Sequence, residues 1–179
     1  MPLTVALMAH PTTPCPQVTG ITVALAWADD GGLTLIYRLA GAPDALSLPA
    51  PAEPGRADGL WRHTCFEAFA MAEDGPGYRE FNFSPSGQWA AYAFTTYRDG
   101  GGDLAMPAPA IACRQGTGQL ELTACLHAAA LPTGGRLRLG LSTVIEDSDG
   151  QLSYWALRHP PGKPDFHHTD AFVLTLACP

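Results

Sequence analysis

The chain has 179 residues, a hydrophobic fraction of 46%, a charged fraction of 15% and a formal net charge of −7. This length suits one domain over residues 1–179, large enough to bury a substantial core. Lys163 is the only lysine in the sequence. The chain is therefore not expected to bind nucleic acid, because neutralising phosphates requires clustered basic side chains.

The sequence also predicts where the protein resides. No apolar stretch approaches the length of a transmembrane helix, so no membrane partner is expected. Met1–Ala9 has no basic residue ahead of its short apolar run, unlike an export signal. The five cysteines show no CxxC spacing, which argues against a disulfide framework or a zinc site. We therefore expect a cytoplasmic protein with reduced thiols.

Short strands separated by turns account for most of the chain. Glycine and proline are abundant, at 19 and 17 residues, which favours many turns over a helical bundle. Alternation of apolar and polar residues predicts these strands: Leu3–Leu7 (an edge strand), Thr19–Trp27, Leu33–Ala40, three within Leu60–Tyr97, Ile111–Arg114, Gln119–His127, Arg136–Glu146, Leu152–Arg158 and Ala171–Ala177. The pattern predicts an all-β fold, an antiparallel β-sandwich of the immunoglobulin or jelly-roll type with little helix.

Two long loops interrupt this succession of strands. Ala42–Gly59 is rich in Pro, Ala and Gly, and His159–Thr169 contains prolines, histidines and charged residues. Long loops without secondary structure in compact domains are often functional. Both loops are therefore candidates for functional segments.

The stretch Tyr78–Ser84 alternates between an aromatic face and a polar face, as expected of a half-buried strand. The first face carries Arg79, Phe81 and Phe83, and the second carries Tyr78, Glu80, Asn82 and Ser84. A carboxylate, an amide and a phenol ring thus share one face of the predicted sheet. Such a face suits recognition of a polar ligand.

The turn Ser84–Gly87 sets the register of the next strand, which is predicted to run from Trp89 to Tyr97. Pro at its second position and Gly at its fourth are typical of a type I turn followed by a glycine bulge. That turn places Tyr92 across from Glu80. A two-residue turn would instead shift the register by one residue and exchange the two faces.

Three segments carry a resemblance to a known family: LWRHTCFEAF from Leu60, YREFNFSPSGQWAAY from Tyr78 and SYWALRHPPGKPDFHH from Ser153. Together they resemble bacterial DOMON-like proteins related to family 9 carbohydrate-binding modules. The resemblance covers roughly Thr19–Leu176 and implies a β-sandwich whose members bind sugars or haem. In the sugar-binding modules, two tryptophan rings enclose a terminal sugar while charged and amide groups bind its hydroxyls.

The resemblance implies roles for particular residues. Trp61 matches the first tryptophan of the family pattern, Glu67 the acidic residue of the next strand, and Asn82 the amide. The family often carries Arg two residues before that amide, whereas this chain has Glu80. Other residues are predicted to lie at the rim of the site or on the same sheet face as these three. We therefore predict that a small polar ligand, most simply a sugar, is bound by Trp61, Arg62, Glu67, Glu80, Asn82, Tyr92, Trp155 and His159.

Individual side chains also admit structural roles. Trp155 shares a strand face with Leu157 and His159, so its ring either stacks on a ligand or fills the core. Glu67 needs a partner if it is buried, either a ligand or one of the arginines Arg38, Arg62 and Arg79.

Other functions stay open at this point. Asp165, His167 and His168 have the composition of a metal site, although adjacent side chains diverge. Haem ligation, in an electron-transfer domain, could come from Met71 or Met106 together with His63, His159 or His167. Glu67 and Glu80 could serve as the acid and base of a hydrolase. No nucleophile, phosphate-loop or dinucleotide motif is present, which favours binding without catalysis and without a required cofactor.

Overall fold

The computed structural model describes residues 2–179, which form two antiparallel sheets joined through the first strand. The first sheet has the order β1-β2-β3-β9-β8, with β1 (Leu3–Ala9), β2 (Val18–Trp27), β3 (Leu33–Gly41), β8 (Ala110–Gly116) and β9 (Gln119–Leu126). The second has the order β7-β6-β5-β4-β10, with β4 (Cys65–Ala72), β5 (Tyr78–Phe83), β6 (Trp89–Phe94), β7 (Gly102–Asp103) and β10 (Arg136–Glu146). Both β11 (Leu152–Ala156) and β12 (Leu174–Ala177) pair with β10.

Helical structure is confined to four single 3₁₀ turns in the described part of the chain, at Pro43–Ala45, Leu60–Arg62, Ala128–Ala130 and Thr169–Ala171. None of the helices within residues 2–179 has the length and apolar character needed to cross a membrane. The predicted helical turn in His127–Leu131 and the all-β sandwich are both confirmed.

The main core lies between the two sheets. Alternate residues of each strand point inward, which is why period-two patterns in the sequence identify them. Tyr37 of β3 is fully buried, and its ring centroid lies 5.3 Å from that of Phe66 on β4. Its hydroxyl donates a hydrogen bond of 2.8 Å to the backbone oxygen of Glu67. This bond ties the strand that carries Glu67 to the opposite sheet.

The strand β1 connects the two sheets. Leu3–Leu7 pairs with β2 and forms the edge of the first sheet, as predicted. Met8 and Ala9 then pair with β11 and so continue into the second sheet. The sequence pattern did not indicate this second pairing, because the two residues follow the apolar run without a turn.

The register predicted from the Ser84–Gly87 turn is confirmed. Glu80 pairs with Tyr92, and Phe83 pairs with Trp89. The aromatic face of β5 therefore enters the main core, and its polar face lies on the outer side of the second sheet.

The C-terminal segment covers part of that outer face. Phe166 and Phe172 pack there on Phe69 and Tyr78, forming a second hydrophobic cluster. The guanidinium of Arg138 donates hydrogen bonds to the backbone oxygens of Thr169 and Phe172. These contacts hold residues 169–172 in a 3₁₀ turn and loop, so the last strand begins at Leu174 rather than at Ala171, where the sequence placed it.

Candidate functional site

An open cleft of about 750 Å³ occupies the part of the outer face that the C-terminal segment leaves uncovered. Its floor is the second sheet, and its walls come from three loops: residues 58–62, 98–101 and 163–167. Two of these walls belong to the long loops that the sequence singled out. The lining residues include Trp61, Arg62, Glu67, Glu80, Tyr92, Phe94, Arg98, Tyr154, Lys163 and His167.

Two carboxyl groups lie in the floor of the cleft. Glu67 on β4 and Glu80 on β5 are only 3% and 5% exposed. Burial, and then the nearby Glu80, raise the pKa of Glu67 well above its ordinary value. Burial also raises the pKa of Glu80, although its hydrogen bond from Asn82 and the charge of Arg98 oppose the shift. The pair resists full ionisation because two like charges in a poorly hydrated site repel each other.

Asn82 positions Glu80 rather than lining the cleft. Its Nδ2 donates a hydrogen bond of 2.8 Å to Glu80 Oε1, and the residue is fully buried. Asn82 also lies directly across from Glu67 in the β4–β5 pair. Its Oδ1 is buried without a hydrogen-bond partner within residues 2–179. The amide therefore orients Glu80 and keeps one acceptor unused.

Tyr92 is fixed in the floor by polar contacts at both its hydroxyl and its ring. Its hydroxyl donates a hydrogen bond of 2.6 Å to Asp58, and the guanidinium carbon of Arg56 lies 5.3 Å from its ring centroid. Arg56 also forms ion pairs with Asp58 and with Asp103. Burial, together with the hydrogen bond to Asp58, raises the pKa of Tyr92, so the phenol stays neutral.

His167 closes the opposite side of the cleft. Tyr78 Oη accepts a hydrogen bond from the Arg98 backbone N–H and forms a second hydrogen bond with His167 Nδ1, 2.9 Å away. The other ring nitrogen, Nε2, faces Glu80 Oε2 at 3.6 Å. Burial, assisted by the charge of Arg98, lowers the pKa of His167 to about 4.

Arg98 anchors the third wall to the C-terminal loop. It is a non-glycine residue with a left-handed backbone, at φ 54°, which is a strained conformation. Its guanidinium bonds Asp165 at 3.0 Å, and Asp165 also accepts a hydrogen bond of 2.6 Å from Tyr97. Burial alone would raise the pKa of Asp165, but these two hydrogen bonds outweigh it and lower the pKa.

Trp61 presents its ring at the rim of the cleft. It lies in the 3₁₀ turn Leu60–Arg62, which follows a left-handed Gly59, and 49% of its surface is exposed. The guanidinium of Arg62 lies 5.4 Å from the ring. Trp61 therefore lines the same cleft as Glu67 and Glu80.

Two of the predicted site residues, Trp155 and His159, are not among the residues that line the cleft. Trp155 is 7% exposed, belongs to the main core, and donates its indole N–H to Ser153. The preceding residue, Tyr154, lines the cleft instead, because neighbouring strand residues point to opposite faces. His159 bonds the backbone oxygen of Met8 at 2.8 Å and packs against His10, away from the cleft.

Two of the three arginines considered as partners of Glu67 are engaged elsewhere. Arg38 pairs with Glu121, and Arg79 donates to the backbone oxygens of Ala129 and Ala130. Within residues 2–179, no basic side chain lies within 4 Å of the Glu67 carboxyl. The alternative prediction, in which an arginine pairs with Glu67, is therefore wrong. Glu67 faces the cleft without a cationic partner.

The metal candidates do not converge. Asp165 is held by Tyr97 and Arg98, and His168 contacts Asp170 at the surface. Across the described residues, no three His, Cys, Asp or Glu side chains are grouped as metal ligands. For haem, no methionine is among the described residues that line the cleft. Ligation by Met71 or Met106 stays a prediction.

Several residues that line the cleft escaped the sequence analysis, namely Asp58, Phe94, Arg98, Tyr154 and Lys163. Phe94 and Tyr154 could have been found from strand parity, because they share faces with Tyr92 and with β11 residues of the outer side. Asp58 and Lys163 lie in loops, where no periodicity indicates direction.

The low pKa of His167 leads to an expectation about acid stability. The unfolded chain, with a histidine pKa near 6.5, takes up a proton more readily than the folded protein, whose value is about 4. Between these values, lowering the pH favours unfolding. We expect His167→Phe to reduce this acid-induced loss of unfolding free energy by about 2 kcal/mol, measured by urea unfolding at several pH values. His168→Phe, at the exposed neighbouring position, should keep the wild-type pH slope, and equal slopes in both variants would contradict this account.

Fold and cleft together define a class: a β-sandwich with a polar, aromatic-rimmed cleft on the outer face of one sheet. A scan against protein-family models finds no match, and a search of curated proteins finds no significant one. Comparison with solved structures does find similar folds. A candidate carbohydrate-binding protein from Bacteroides uniformis superposes with a TM-score of 0.73 at 15% identity, covering 98% of this chain and 85% of that one.

Two further similar structures are family 9 carbohydrate-binding modules from Caldicellulosiruptor kristjanssonii. The complex with glucose gives a TM-score of 0.60 at 9% identity, covering 92% of this chain and 78% of that one. The complex with cellotriose gives a TM-score of 0.56 at 10% identity, covering 83% and 70%. At these identities the likeness establishes the shared fold. The family 9 part of the sequence resemblance therefore has a structural counterpart, whereas the DOMON-like part stays a prediction.

Proposed function

We propose that this protein binds a carbohydrate, without transforming it, in the cleft of the second sheet. One observation carries the proposal: an exposed tryptophan ring stands beside two buried carboxyl groups. Trp61 is 49% exposed at the rim, while Glu67 and Glu80 lie in the floor. A sugar has apolar C–H faces and hydroxyl edges, so it suits an aromatic platform combined with a few oriented polar groups.

Each side chain then has a distinct role. The sugar ring stacks on Trp61, and its hydroxyls donate hydrogen bonds to Glu67 and Glu80. Asn82 acts as a positioning residue through its 2.8 Å bond to Glu80. The second aromatic surface comes from Tyr92 or Tyr154, since both line the cleft and Trp155 does not.

The similar structures support this class of ligand. Two of the proteins that share the fold are modules in complex with glucose and with cellotriose. Because sequence identity is 10% or lower for these modules, the support comes from the fold, and the details come from the cleft.

Calorimetric titration with mono- and disaccharides and amino sugars tests the proposal. At least one sugar is expected to bind saturably, and Trp61→Ala is expected to weaken the binding of that sugar by about tenfold or more, because it removes the aromatic platform on which the sugar ring stacks. Trp27→Phe is the matched control, since Trp27 packs against the main core from the first sheet.

Two outcomes would contradict the proposal. The first is the absence of saturable binding across the whole panel, with the protein folded as judged by circular dichroism. The second is cleavage of a disaccharide on incubation, detected by product analysis, because it would make the paired carboxyls catalytic.

A further inference from the structure

We propose that the cleft selects an amino sugar, whose ammonium group lies between the carboxyls of Glu67 and Glu80. This inference rests on the proposed carbohydrate-binding function and specifies the class of sugar. The spacing of the two carboxyls, the absence of a cation between them and the surplus of hydrogen-bond acceptors each support it.

The first observation is the placement of the two carboxyls. Asn82 is the direct cross-strand partner of Glu67, so Glu80 is its diagonal neighbour on the same face of the sheet. Diagonal neighbours in an antiparallel pair are roughly 7–8 Å apart at their Cα atoms. An ammonium group that makes charge-assisted hydrogen bonds of about 2.8 Å to both carboxylates fits such a gap.

The second observation concerns charge. Within residues 2–179, Glu67 has no basic side chain within 4 Å, and the nearest such group to Glu80 is His167, at 3.6 Å. Burial keeps that imidazole neutral near pH 7, since its pKa is lowered to about 4. Arg98 directs its guanidinium to Asp165 instead. Two carboxyls thus share a buried floor with no cation between them, an arrangement that a cationic ligand relieves.

The third observation is the hydrogen-bonding character of the floor. Asn82 is fully buried, does not line the cleft and donates its Nδ2 to Glu80. The acceptors that face a ligand are therefore the carboxyl oxygens of Glu67 and Glu80. An ammonium group brings three donors and no acceptor, whereas each hydroxyl brings one donor and two lone pairs.

The rim has the opposite charge. Arg62 and Lys163 line the outer part of the cleft, while the carboxyls are inside. A cationic group would therefore bind at the floor rather than at the rim. The neutral hydroxyls of the same sugar can accept hydrogen bonds from the basic rim.

The titration of the carboxyls provides a second signature. Burial raises the pKa of both, so without a bound cation the pair retains protons that an ammonium group would displace. Acidification should therefore weaken binding, and binding should release protons. The other titratable or charged groups that line the cleft are Asp58, Arg62, Tyr92, Arg98, Tyr154, Lys163 and His167.

The test compares glucosamine, galactosamine and mannosamine with their parent hexoses and with the N-acetylated forms, by calorimetry. At least one amino sugar is expected to bind about tenfold more tightly than its parent hexose and its N-acetylated form. Its affinity should fall as the pH is lowered and the carboxyls, whose pKa values are raised, take up protons, and titrations in buffers of different ionisation enthalpy should show proton release. Glu80→Gln should remove the preference, whereas Glu121→Gln, on the first sheet, should keep it.

The outcomes separate the two proposals. If hexoses bind as tightly as amino sugars, the amino-sugar inference is overturned while carbohydrate binding stands. Equal affinity for the N-acetylated form also overturns the inference, because it shows that the positive charge is not recognised. If no sugar of any kind binds to the folded protein, both proposals fail.

Discussion

Replacing Trp155 with alanine is expected to lower the free energy of unfolding by about 3–5 kcal/mol. The indole lies in the main core, 7% exposed, and its N–H donates to Ser153. Truncation removes this apolar surface from the core and leaves a cavity between the sheets. Urea unfolding, followed by circular dichroism, measures the loss as a lower midpoint at an unchanged slope.

Trp61→Ala is the natural counterpart, because its ring is half exposed at the rim of the cleft. We expect it to change the free energy of unfolding by less than about 0.5 kcal/mol, as surface substitutions generally do. If Trp155→Ala were as mild as Trp61→Ala, or weakened sugar binding without destabilising the protein, its assignment to the core would be wrong.

Replacing Glu67 with glutamine is expected to separate stability from binding. Because the pKa of Glu67 is higher in the folded protein than in the unfolded chain, its contribution to stability is present in acid and is lost as the pH rises through the folded value. Glutamine does not titrate, so the variant should lose less stability over that rise. Sugar affinity should nevertheless fall by about tenfold or more, because a charged acceptor is removed from the floor.

The measurements are urea unfolding across the pH range and calorimetric titration of the best-binding sugar. Glu73→Gln is the matched control, since Glu73 follows β4 at the surface and forms an ion pair with Arg136 at 3.6 Å. It should keep both the pH profile and the affinity of the wild type. Identical pH profiles for Glu67→Gln and the wild type would show that Glu67 does not titrate as its burial requires.

Together these variants distinguish polar groups that bind the ligand from groups that stabilise the fold. A carboxyl buried without a cation costs stability at neutral pH, so its presence in the floor of a cleft favours a ligand role over a structural one. The same reasoning removes Asn82 from direct contact, because its amide is already committed to Glu80.

Local sequence determined much of this molecule. Period-two alternation identified the inward faces of the strands, and the Ser84–Gly87 turn determined the register that brings Glu80 beside Tyr92. Glu80 and Tyr92 could be predicted as neighbours because adjacent strands with a known register share a face, whereas Trp61 and Glu67 were assigned from the family resemblance. Those signals act over a few residues, so they are readable without the rest of the fold.

Only the tertiary structure decided which residues that are distant in the sequence come together. Trp155 and Tyr154 differ by one position, and only the packing of β11 on β10 and β1 determines which ring enters the core. The loops that supply Asp58, Arg98 and His167 have no periodicity, so their convergence depends on contacts between distant segments, such as Arg98 with Asp165. Strand direction and face follow from local geometry, whereas the cleft exists only once those distant segments have packed together.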